Sequence, residues 1–252
     1  MISLFRALSA ELLKTKRTLT LTLTCLAPLS LAFLEIAIGF EAKNRMYRVG
    51  GDSWMTLIGH TAMMWTMLLL PLFITLEMGL LAAQEHDPKT WKQLYALPLP
   101  RWSIYAAKQL VGMGVIALSM FCLGWMTVGV GLIGRLCLPG LGFEAPIPWS
   151  ALLQNLCLSY LASWLMISFH LWVSLRWNNF VLAMAVGIVP TVCGVVMINS
   201  QWANYYPWLM PGIVAHGLDQ ALPYTLSLTL GLVGGILMAF FGGWEASRRE
   251  VL

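Results

Sequence analysis

The chain has 252 residues, 59% hydrophobic and only 10% charged, with a mean hydropathy of +0.75. A soluble domain is about 45–50% apolar and about 25% charged. Water therefore cannot be the main solvent of this surface, and a soluble globular domain is excluded in favour of a chain that lies in lipid. The net charge of +4 gathers at the ends of apolar runs. Topology-setting charge has that distribution, and it argues against a nucleic-acid partner.

In chain order, the first element is an amphipathic surface helix within residues 1–18. Ile2, Phe5, Leu8, Leu12 and Leu13 recur at helical spacing, and Arg6, Glu11, Lys14 and Lys16 mostly lie elsewhere. Such a helix buries its apolar face at the headgroup boundary and offers its basic residues to anionic lipid. Six stretches long enough to cross a bilayer follow, at 19–40, 57–83, 104–133, 151–175, 180–199 and 224–244. The expected fold is thus an all-α integral membrane protein with six transmembrane helices in a single domain. Pro71 and Pro190 fall inside spans two and five, where each removes a backbone donor and should kink its helix.

An even number of spans places both termini on one side. Eleven basic residues fall on that side, from Arg6 and Lys14 through Lys89, Lys92 and Arg101 to Arg249, against Lys43, Arg45, Arg48 and Arg135 opposite. The excess predicts cytoplasmic termini in a multi-pass inner (cytoplasmic) membrane protein. Between spans two and three, Asp87 can cap a helix that Pro88 opens and Leu97-Pro98 closes. Over 88–97, Trp91, Leu94 and Tyr95 share one face while Lys89, Lys92 and Gln93 point elsewhere. A short helix with one apolar face at the cytoplasmic surface is a docking element, for lipid or for another protein.

The residues Gln84-Glu85-His86, Lys89-Thr90-Trp91-Lys92, Leu97-Pro98-Leu99-Pro100-Arg101 and Lys108, in that order, resemble the permease subunits of type-2 ABC transporters. The branch they most resemble includes lantibiotic-immunity and bacitracin-type export permeases. The opening Glu11-Leu12-Leu13-Lys14 is similar to that family's Glu-x-x-Lys on a surface connecting helix. The resemblance implies that 88–97 is a coupling helix seated on a separate ABC ATPase, with Glu85, His86, Lys89, Thr90, Trp91, Lys92, Leu94 and Tyr95 as the contact. It implies two ATPase copies and a second permease, identical or a sibling. It further implies export of a hydrophobic or amphipathic substrate, such as an antimicrobial peptide in immunity systems. The stretch from Ser200 to Pro223 would then form re-entrant helices, with Trp202, Tyr205, Tyr206 and Trp208 beside the substrate pathway. An aromatic belt at the outer interface would use the same residue types.

No GxxxxGK[ST] loop occurs in the sequence. ATP and Mg would belong to the partner ATPase, with no cofactor in this chain.

Several residues inside the spans invite a role. Glu77 would face the interior of span two near its cytoplasmic end, to contact a substrate amine or to hold a neighbouring helix, because a charge at bilayer depth needs protein or water around it. Glu35 would lie near the outer interface and snorkel. His170 reads as a hydrogen-bonded core histidine, and no HExxH or HxxxH set suggests a metal. The five cysteines form no CxxC pair and read as small buried hydrophobes. Glycines from Gly112 to Gly134 in span three, and from Gly231 to Gly243 in span six, predict close helix approach. A rhomboid-type protease is disfavoured, since Gly51-Asp-Ser-Trp-Met55 lacks the final glycine of Gly-x-Ser-x-Gly. An ATP-independent secondary transporter or channel is the alternative, although no internal repeat supports it.

Overall fold

The computed structural model describes residues 2–15, 18–41, 52–86, 100–137, 139–140, 142–177 and 179–248. Every regular element among them is helical. The predicted coupling helix at 88–97 lies outside the described residues, as do the side chains of Glu85 and His86.

The amphipathic leader forms α1 (Ile2–Thr15), and span one is α2 (Leu19–Glu41). Span two is a single column of α3 (Ser53–Met64), a π-helical turn (Trp65–Leu69) and α4 (Leu70–His86). Span three is α5 (Arg101–Cys137). Span four is a pair, α6 (Trp149–Ala162) and α7 (Trp164–Arg176). Spans five and six are α8 (Phe180–Met197) and α10 (Thr225–Arg248), separated by a 3₁₀ turn (Ala203–Tyr205) and the short α9 (Met210–Gln220). Five of these columns are long and apolar enough to cross a membrane, and the bent pair makes the sixth. The protein is an all-α integral membrane protein.

The helix ends have local causes. The Asp52 side chain accepts the Met55 N–H at 3.1 Å and starts span two, and Asn179 accepts the Leu182 N–H at 3.2 Å and starts span five. Pro71 has no N–H for the Met67 carbonyl, and the column absorbs the loss just upstream. There the Leu70 N–H bonds back to the Trp65 carbonyl, widening one turn to π geometry. Span five instead runs through Pro190 without interruption.

The bend in span four was not expected from its unbroken apolar run. The two halves meet at 40° around Ser163. The Ser163 hydroxyl donates to the Tyr160 carbonyl at 2.6 Å, and its N–H is shared between the Ser159 and Tyr160 carbonyls. A serine bonded back into the preceding turn competes with the regular ladder and bends a helix. Span six crosses at that bend. A Cβ on Gly231 would stand 2.3 Å from the Ala162 carbonyl oxygen, and one on Gly235 would stand 2.5 Å from the Trp164 backbone. Only glycine allows the two backbones that close, and in lipid such packing replaces the hydrophobic drive.

Span two stands at the centre and is the most buried of the five unbroken columns, whereas spans one, five and six are buried least among them. Its Trp65, Leu70, Ile74, Met78 and Leu81 form the middle of the apolar core, packed against Ile116 of span three and Met166, Ile167 and Leu171 of span four. At the far end, opposite α1, the Trp54 indole N–H donates to the Phe143 and Ala145 carbonyls, fixing the loop between spans three and four to span two. In that loop Glu144 accepts the Gly140 and Gly142 N–H groups at 2.7 and 3.2 Å, and these bonds hold its carboxyl below the usual range. The stretch between spans five and six does not cross the bilayer, because the 11 residues of α9 are too few. The cysteines depart from expectation: Cys25, Cys137, Cys157 and Cys193 are free thiols exposed on the bundle surface, and the Cys25 and Cys122 sulfurs lie 3.8 Å apart.

Gly231→Val should cost about 1–3 kcal/mol through overpacking against the Ala162 backbone. Gly114→Ala and Gly129→Ala, whose Cβ positions meet open space, should change little. Thermal unfolding in detergent, followed by size-exclusion, would show the contrast; equal losses at all three positions would refute the close crossing.

Candidate functional site

Two groups of polar side chains sit within this apolar bundle, one near the end that carries α1 and one in the far half. The first gathers residues far apart in sequence. Glu11 is 3% exposed, and its carboxylate accepts Lys108 Nζ of span three at 2.7 Å and Lys14 Nζ of its own helix at 2.8 Å. Lys108 is itself buried. The connecting-helix pair and the basic residue beyond Arg101, quoted separately from the sequence, thus meet on one carboxylate. The apolar face of α1 leaves Phe5 and Leu13 outside while turning Glu11 inward.

Around this pair, Gln109 Nε2 donates to the Ser168 hydroxyl at 2.9 Å, joining spans three and four. Glu245 of span six accepts the Trp172 indole N–H and lies 3.3 Å from Arg176 Nε. Arg101, Tyr105, Lys108, Arg176 and Glu245 border one small cavity where the chain re-enters the described residues. Glu77 lies deeper in span two. It is fully buried, and among the described residues neither carboxylate oxygen has a hydrogen-bond partner; Thr20 of span one is a polar neighbour.

Further in, His170 is buried with Nε2 3.5 Å from the Thr75 hydroxyl, and its Nδ1 has no partner among the described residues. Trp208, from the stretch between spans five and six, reaches it: the ring centroids are 5.8 Å apart and nearly perpendicular. Tyr206 donates its hydroxyl to the Pro190 carbonyl at 2.8 Å and stacks beside Trp208. Trp202 and Tyr205 are exposed at the far end and touch each other. The four aromatics therefore divide into an inner wedge and an outer pair.

A sizeable opening lies in the far half. It is a cavity of about 470 Å³ between spans one, two and five, lined by Leu31 and Leu34, by Met63, Met64 and Met67, and by Val195 and Ile198. Leu209 closes it from the stretch after span five. The π turn supplies Met67, Leu68 and Leu69 to its wall. Unbranched, polarizable methionines suit a wall that must fit more than one shape. The volume falls in the range of about 300–1,000 Å³ typical of small-molecule sites.

Among the described residues His60 is the one polar side chain on that wall. Its Nδ1 lies 2.9 and 3.1 Å from the two carboxylate oxygens of Glu35 on span one. Glu35 is 1% exposed, so it does not snorkel to the interface. Its position gave a signal that a lone span could not reveal. Glu35 falls six residues before the end of α2 and His60 seven after the start of α3, so a hairpin of the two sets them at one depth.

The Glu11–Lys108 pair makes a direct prediction. Removing Glu11 should cost about 3–5 kcal/mol, because the buried Lys108 loses its carboxylate, whereas removing Lys108 should cost less because Glu11 keeps its bond to Lys14. The double replacement Glu11→Leu, Lys108→Leu should recover much of that loss. A double-mutant cycle on the thermal midpoint would measure it, and simple additivity would rule out the coupling.

The family described as ABC-2 family transporter protein matches residues 7–194. No curated protein matches the chain. The match takes in the buried Glu11–Lys108 pair, both walls of the Glu35–His60 contact and nearly all of five spans. The chain belongs to the ABC-2 transporter family, as a multi-pass membrane transport subunit.

Proposed function

We propose that this chain is the permease subunit of an ABC-2 exporter that moves a hydrophobic or amphipathic molecule outward across the cytoplasmic (inner) membrane. The observation that carries the reading is the apolar cavity of about 470 Å³ held within the membrane-spanning bundle. Spans one and five, which supply part of its wall, are among the least buried. A second permease, identical or a sibling, would cover that side and complete the pathway.

ATP binding and hydrolysis would take place in a separate ABC ATPase, as family membership implies in general, with Mg at its sites and two copies serving the pair of permeases. The end carrying α1 would face the cytoplasm, in keeping with its eleven basic residues. Segment 88–97 would be the coupling helix, presenting Trp91, Leu94 and Tyr95 with Lys89, Thr90 and Lys92 to the ATPase. Its two attachments are α4, which ends at His86, and α5, which begins at Arg101. Motion of the ATPase would reach the cavity through α4 and the π turn, because the column from Ser53 to His86 is continuous. Glu77 lies along that column, and Tyr206 and Trp208 lie beside Leu209, so they would sense the same movement. Antimicrobial peptides of immunity systems are the amphipathic substrates that the sequence resemblance favours.

Affinity purification of the tagged chain from its native membrane, with partners identified by mass spectrometry, tests this reading. A stoichiometric ABC ATPase is expected, and Trp91→Ala with Leu94→Ala should lower its recovery at least about tenfold, as loss of two central apolar anchors would. Recovery of the chain without an ATPase, or undiminished recovery in the double variant, would overturn it.

A further inference from the structure

We propose that Cys25 and Cys122 form an oxidation site within the bilayer, where a lipid-soluble quinone joins them in an intramolecular disulfide between spans one and three. The joining of the two thiols stands on their geometry alone, and only its effect on transport rests on the permease reading.

The two residues are 97 apart in the sequence, and the packing of span one against span three brings their sulfurs to 3.8 Å. A disulfide sets its sulfurs about 2.05 Å apart, so the bond closes with a relative movement of about 1.8 Å. Rotation of two short side chains on closely packed helices supplies a movement of that size. Among the described residues no other two thiols touch. Cys137, Cys157 and Cys193 are free and exposed on spans three, four and five. The geometry thus selects one pair and one bond within the chain.

The surroundings of the pair decide which oxidant it meets. Cys25 lies six residues past Leu19 in span one, and Cys122 lies well inside span three. Cys25 is exposed on the outside of the bundle. Leu21 and Leu29, one turn to either side of it, are exposed as well, as are Leu118 and Phe121 near Cys122. In a membrane-spanning bundle such a surface meets lipid. Glutathione is charged and stays out of hydrocarbon, because moving a charge there is costly. The soluble couples that keep cytosolic cysteines reduced therefore do not govern this pair. A quinone dissolved in the bilayer reaches it directly.

The reaction balances with the quinone as sole co-reactant. Both S–H bonds break and one S–S bond forms, while two electrons and two protons pass to the quinone, which leaves as the quinol. The product acts on the cavity. Leu31 and Leu34 of its wall lie on span one beyond Cys25. The Glu11–Lys108 pair already fixes α1 to span three, and the disulfide ties span one to the same helix at a second level. Span one then no longer shifts against span two independently of span three, and the cavity keeps one shape.

The full-length permease, purified reduced into phosphatidylcholine nanodiscs, is treated with decylubiquinone, whose fully substituted ring takes up electrons without forming a stable thiol adduct. N-ethylmaleimide in denaturant then counts thiols by intact mass. The reduced chain has five. Two of them should disappear on oxidation, and peptide mass spectrometry should map both to a Cys25–Cys122 cystine that dithiothreitol reopens. Cys25→Ser and Cys122→Ser should each lose no thiol under the same treatment. Five reactive thiols after quinone, a disulfide mapped to any other pair, or a linkage between two chains would overturn the site. In the complex with its ATPase, oxidation should remove most of the ATP turnover, dithiothreitol should restore it, and the Cys25→Ser complex should be unaffected. Unchanged turnover with the disulfide in place would overturn the effect on the cavity. Because thiol counting needs no ATPase, its failure concerns the cysteine pair, whereas failure of copurification concerns the permease reading.

Discussion

The buried pair between Glu11 and Lys108 is the constraint on which the arrangement at the α1 end depends. Two charges taken out of water repay their desolvation only when geometry and extra hydrogen bonds are good, and here a second lysine, Lys14, completes the carboxylate. Such a pair tolerates little displacement. It sets α1 against the first two turns of span three, beside the point where the chain returns from residues 87–99. A helix held by apolar contact with lipid alone could slide and roll, whereas one whose carboxylate is locked to span three moves with that span. The Glu245 contacts with Trp172 and Arg176 tie spans four and six at the same end.

Burial is distributed unevenly from that end outward. Span two is packed on several sides, and a continuous column links its start at Ser53 to His86. Spans one and five flank it with faces turned outward, among them Phe33, Val189 and Val196. The cavity lies between these layers. Its walls are the central column on one side and the least buried spans on the other, so its shape depends on how spans one and five sit against span two. The π turn adds a local weakness in that column, because its hydrogen bonds are already out of the α register.

Much of the fold was legible from the chain, because lipid imposes a length rule that sequence records directly. All six apolar stretches correspond to helical columns, with ends displaced by a few residues. Glu11, Lys14 and Lys108 stood out as residues, but their meeting on one carboxylate was not legible, since it depends on how α1 lies across span three. The Ser163 bend was hidden because one serine within an apolar run has no distinct signature until its hydroxyl finds a carbonyl. Glu35 reads as a snorkelling side chain on span one alone, because its partner His60 sits on the next span. Cysteine reads as a core residue, but a residue type buried in water-soluble proteins can face lipid as readily. The role of segment 88–97 could be read only as pattern and resemblance.

The Glu35–His60 contact also bears on how the chain is made. Span one leaves the ribosome before span two, carrying a carboxylate whose partner lies 25 residues further on. Alone in the bilayer that carboxylate works against insertion by up to about 3 kcal/mol, against a helix that otherwise favours it. The favourable course is for the first two spans to leave the translocon as a hairpin, the histidine meeting the acid before either faces lipid. The order of synthesis and the position of one hydrogen bond together make these two helices a single unit of membrane insertion.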